Sequence, residues 1–116
     1  MKFSHDYAKL KSRLFTTIRA GWPYYAEDSI IVCETPTEVF QARILYGRGL
    51  GDGLHDVPLP LLRYDTDSPL ASRQEIVDKI RALYHGRAPA ASDVWTLYLL
   101  ERMKAPDGRK LQGGRA

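Results

Sequence analysis

The chain holds 116 residues, 44% of them hydrophobic and 27% charged, with one cysteine and a formal net charge of +3. That is enough apolar material for a single core, and it excludes both a disordered polyelectrolyte and an internal disulfide framework. No apolar run approaches the ~20 residues of a membrane span, the first residues lack the apolar stretch of a secretory signal, and a lone thiol suits a reducing compartment, so a cytoplasmic chain is expected.

Taken in order, Lys2 and Phe3 begin a short strand. Residues 5–11 read as a short helix capped by Ser4, with Tyr7 and Leu10 on one side. Residues 14–20 form a strand, since the β-branched run Thr16-Thr17-Ile18 fits a pleated surface, and Gly21 and Pro23 end it. A second strand covers residues 29–33, whose continuous apolar character predicts burial on both faces. After a turn at Pro36-Thr37, residues 38–46 alternate Val39, Gln41, Arg43 and Leu45 against Phe40, Ala42, Ile44 and Tyr46. Links this short predict antiparallel pairing. Residues 47–53 contain four glycines in seven positions and read as a mobile loop. Pro58 and Pro60 make residues 57–62 irregular or a single turn.

The clearest helix is 73–84. Ser72 and Glu75 fit the S-x-x-E capping box, Gly86 lies just past the end, and Ile76, Ile80, Leu83 and Tyr84 form the apolar stripe. Residues 94–102 close the fold as a strand. Residues 1–103 are thus one domain, and 104–116 are a basic, disordered tail. A short helix, several strands, an amphipathic helix and a last strand make an α+β domain, most economically a small antiparallel barrel with packed helices.

The charge is divided. The segment from Lys104 onward carries four cations and one anion, whereas residues 1–103 balance at thirteen of each sign. Within that neutral body, residues 1–20 carry five cations against Asp6, and residues 27–67 carry three against eight acids. Such a separated field orients an anionic ligand toward the N-terminal segment. On the strand there, Thr17 and Arg19 point to one face, and a hydroxyl beside a guanidinium can serve as an anion site. Trp22, Tyr24 and Tyr25 either stack on a base or pack in the core or at its rim. Glu75 has its own structural reason as a helix cap. His5, His55 and His85 are too dispersed to hold a metal, Asp65-Thr66-Asp67 suits turn capping, and Cys33 reads as buried and inert.

The window Ser12-Arg13-Leu14-Phe15-Thr16-Thr17-Ile18-Arg19 resembles the G-x-K-x-x-T-x-R motif of the ASCH family, a branch of the PUA-like small barrels. Thr17 and Arg19 match; Ser12 replaces the glycine and Leu14 the lysine. The resemblance extends over residues 2–102 through the later helix–loop–strand order. It implies a small, mostly antiparallel PUA-like β-barrel with two or three packed helices, and RNA or a nucleoside or nucleotide as partner. Lys11, Arg13, Thr17, Arg19 and Tyr25 are the expected contacts, with no cofactor and no metal.

One branch of that family comprises small amidohydrolases that deacetylate acetylcytidine. Similarity to it implies a lysine, a threonine and a helical glutamate, here Thr17 and Glu75 as tentative catalytic groups. A threonine hydroxyl needs a neighbouring base, and the lysine position holds Leu14, which leaves Lys9 or Lys11 as substitutes. Whether the chain is an enzyme stays open at this point. A non-catalytic protein-interaction module is the third reading.

Overall fold

A computed structural model describes residues 1–21, 25–50, 53–84 and 94–104. Trp22, Tyr24, His85 and most of the basic tail lie outside the described residues. Four strands build one curled antiparallel sheet, a half-barrel, in the order β1-β4-β3-β2. They are β1 (Leu14–Ala20), β2 (Ile30–Glu34), β3 (Val39–Leu50) and β4 (Trp95–Arg102). Two helices join it, α1 (Leu59–Asp65) and α2 (Arg73–Ala82).

Because side chains alternate across a strand, the sheet separates two cores. Phe15, Cys33, Phe40, Ala42, Ile44, Tyr98 and Leu100 lie on what we term the aromatic face, closed over by Phe3 and Leu10. Phe15 makes edge-on contacts with Phe3 and Phe40, the ring centroids 6.3 and 6.1 Å apart. Ile18, Leu50 and Trp95 lie on the opposite, helix face, under Leu62 of α1 and Ile76, Val77 and Ile80 of α2. Burial of each large apolar side chain contributes about 1.5–3 kcal/mol, so both cores are needed to hold a chain of this size together.

The α+β architecture agrees with the sequence reading, and β1 spans the expected residues 14–20. In β3, Phe40, Ala42 and Ile44 are buried as the alternation requires. Tyr46 leaves that series because a bulge between Ile44 and Tyr46 shifts the pairing with β4. The extra residue of a bulge moves every later side chain to the other face.

Four local expectations are corrected. The glycine-rich stretch is not a loop throughout: Gly47–Leu50 continue β3, paired with Tyr98 through Trp95 of β4. A long partner strand supplies the ladder bonds that glycine propensity alone disfavours. Residues 57–62 contribute to a helix, because Pro58 occupies the N-cap of α1 and Pro60 its first turn, where a missing N–H costs no intrahelical bond. The N-terminal helix shrinks to a 3₁₀ turn, Ala8–Lys11, preceded by Tyr7 with no side-chain cap; Ser4 Oγ instead bonds His5 at 2.7 Å. Strand β2 is buried on one face only, with Ile30 48% and Val32 49% exposed, since it is an edge strand and contributes nothing to the core under the helices.

Candidate functional site

Two rows of residues cross the aromatic face from β1 through β4 to β3. One is Thr17–Tyr98–Gly47, and the next is Arg19–Thr96–Gly49. Directly paired residues share a face, so the two glycines lie beside Tyr98 and Thr96 and place no side chain there. Arg19, only half buried, donates from Nε to Thr17 Oγ1 at 3.2 Å, and its guanidinium lies over the Phe3 ring, 4.7 Å from the centroid. Thr17 itself is 3% exposed. The Tyr25 ring meets Tyr98 edge-on at 5.6 Å, and the Tyr25 N–H donates to the Tyr98 hydroxyl at 3.4 Å.

The consequence lies in what Arg19 does not touch. Among the described residues it pairs with no carboxylate, and its two terminal nitrogens have no hydrogen-bond partner. A guanidinium fixed by a stacking ring and by one bond through Nε presents the rest of its fork to a planar acceptor. Thr17 accepts from Arg19, so its own proton remains available to a third group. Among the described residues its side-chain hydrogen-bond partner is Arg19, whose guanidinium cannot take a proton.

The other expected contacts lie elsewhere. Lys11 pairs with Glu38 at 3.0 Å, and Glu38 is also held by Arg102, which stacks on Phe40 at 4.0 Å. Those bonds, Arg102 first, keep the Glu38 carboxyl below the usual glutamate range. Arg13 pairs with Glu101, whose strand position is on the helix face. Glu75 completes the capping box: it accepts the Ser72 N–H at 2.9 Å, while Ser72 Oγ accepts the Glu75 N–H at 3.2 Å. Its carboxyl is held below the usual range by that backbone bond, the setting of an acid kept ionised. Helix α2 packs on the Ile18 side of the sheet, opposite the Thr17 face, so the structure does not bring Glu75 to Thr17.

A second polar cluster was not anticipated. Lys9, 3% exposed, donates to Asp65 Oδ1 at 2.7 Å, and Thr16 Oγ1 donates to the same oxygen at 2.8 Å. Burial drives the Lys9 pKa below the ordinary lysine value; Asp65 pulls it back, and the Arg19 charge pushes it down again. The only sequence signal for Asp65 was its place in Asp65-Thr66-Asp67, expected to cap a turn. Neither acid caps its own turn: Asp67 accepts the Ala8 N–H, 59 residues away, at 2.7 Å, and Asp65 is spent on Lys9.

Cys33 is fully buried, and desolvation pushes its thiol up to about 11. No group of three potential metal ligands occurs among the described residues, and none of their helices is long and apolar enough to cross a membrane. No family model matches the chain, and comparison with curated proteins and with solved structures finds no match.

Proposed function

We propose that this chain is an ASCH-like, PUA-related domain that binds RNA or a nucleotide on the aromatic face of its half-barrel, without a complete catalytic set. The observation that carries this reading is the Arg19 guanidinium beside Thr17, half buried yet facing no carboxylate among the described residues. Arg19 takes a phosphate or a polar base edge, and Thr17 adds a directional hydrogen bond. Lys11 and Arg13, each already on an acid, contribute only to the long-range field.

Among the described residues no base is bonded to Thr17, which weighs against amide cleavage, since a threonine hydroxyl attacks only once its proton is taken. The experiment is a titration of single-stranded RNA, nucleotides and free nucleosides against wild type and Arg19→Ala at low salt. Binding that weakens at least tenfold in the variant is expected. Equal binding by both proteins, or none by either, removes the proposal. Acetate released from acetylcytidine by the wild-type protein would favour the hydrolase instead.

A further inference from the structure

The bulge in β3 changes which side chains share the helix face. Ile44 stands opposite Leu100 and Tyr46 opposite Leu99, so Leu45 has no partner on β4. In an unbroken strand Arg43 would share its face with Leu45, Gly47 and Gly49. The extra residue instead brings Tyr46 and Arg48 to the side of Arg43. Arg43 lies between Ala42 and Ile44 of the aromatic core, and so points away from it. Tyr46 and Arg48 pair with Leu99 and Leu97, which alternate with Tyr98 and Leu100 of that core and point away likewise. Arg43, Tyr46 and Arg48 therefore stand in successive rows on one face, about 7 Å from row to row.

The line is open to a ligand. β2 pairs with β3 only as far as Arg43, so from Tyr46 onward β3 has no described strand on its outer side. Tyr46 is 40% exposed, and Arg48 is exposed. Among the described residues neither arginine forms an ion pair. Glu101 stands opposite Arg43, but its carboxylate is held by Arg13, so two arginines share one acid and the row stays cationic.

We propose that this line is a contact for single-stranded RNA: one base stacks on the Tyr46 ring, and the phosphates on either side of it meet Arg43 and Arg48. An aromatic side chain on a sheet surface takes any base, since every base has a π-face, and cations beside it track the backbone. Charge complementarity selects the occupant. A cation on each side of a ring matches a flat base between two anions, and the row spacing keeps both phosphates within reach of an arginine side chain. A duplex keeps its base faces in its own stack and offers the ring nothing to hold. The contact lies on the opposite side of the sheet from Arg19 and Thr17, so it stands or falls apart from the site proposed above.

Fluorescence anisotropy of a short, labelled single-stranded RNA of mixed sequence at low salt tests this. Tyr46→Ala is expected to weaken binding about tenfold, in the range of one stacked base, and Tyr46→Phe to keep it. Arg43→Gln and Arg48→Gln should each make the fall of log K with log salt shallower by about 0.7, the share of one phosphate on a single strand. The three positions lie outside both cores, so the variants should keep the wild-type melting transition. A mononucleotide titrated in parallel reports on the Arg19 site. Strand binding that is unchanged in Tyr46→Ala overturns this contact, and if Arg19→Ala still loses the mononucleotide, the first site survives alone. A salt slope unchanged in both arginine variants overturns it too, as does wild-type protein that binds duplex RNA as tightly as the single strand or binds neither.

Discussion

Lys9 and Asp65, 56 residues apart in the chain, form a buried ion pair with 2.7 Å between Nζ and Oδ1. It joins the two cores around the outer edge of the sheet. Lys9 Nζ also lies 5.9 Å from the centroid of Phe3, which belongs to the aromatic core, while Asp65 ends the helix that packs on the other side. β1 is the edge strand between them, and Thr16 of β1 donates to the same carboxylate.

Breaking that pair from one side should be costly. Lys9→Met removes the cation from buried Asp65 and leaves it, among the described residues, the Thr16 hydroxyl; the variant should lose about 3–5 kcal/mol. Lys9→Met combined with Asp65→Leu removes both charges and should recover most of the loss. Denaturant unfolding of the two single variants and the double measures the coupling; a double variant no more stable than Lys9→Met would contradict it.

Adding a side chain to the glycine row should test where the ligand sits. Gly49→Val adds a β-branched side chain to an extended strand position beside Thr96, on the same face as Arg19. Thr96 beside it is fully buried, so denaturant unfolding is read alongside, and the titration is made where both proteins are folded. Affinity for whichever nucleotide the wild type binds should fall at least tenfold, read by the same titration as for Arg19→Ala. Unchanged affinity would move the ligand off this face.

Acid should weaken the fold partly through Glu38. Its folded pKa is depressed, by the Arg102 bond foremost, so its contribution is fully present above the ordinary glutamate value of about 4.3 and is lost as pH falls through the depressed one. Glu38→Gln should therefore cost about 1 kcal/mol near neutral pH, where Arg102 and Lys11 lose their partner. The two stability curves should converge at low pH. Parallel curves down to the acid end would show that Glu38 is not the group responsible.

The Cys33 thiol should be inert in the native state. It is fully buried, and with its pKa pushed up to about 11 it is protonated at neutral pH, when only the thiolate is reactive. An aromatic disulfide reagent should label the chain in denaturant and leave the folded protein unmodified over the same interval. Rapid labelling without denaturant would mean that β2 opens locally.

What could be read from the amino acids alone was local. The β-branched run in β1, the Phe40–Ala42–Ile44 alternation and the Ser72–Glu75 box depend on neighbours one to four positions away, and the folded chain keeps all three. Short range also sufficed to place Thr17 and Arg19 on one face, since strand geometry alone determines it. Tertiary structure decided which cations remain available. Lys9, Lys11 and Arg13 look as free as Arg19 in the sequence, yet each meets an acid at least 27 residues away. It also turned Gly47–Leu50 into strand, by supplying β4 as a partner, and left Leu14, Ile30, Val32, Val39 and Tyr46 38–49% exposed. Pairing and burial are long-range quantities, set by what the chain brings together in space, and no spacing of residues along it encodes them directly.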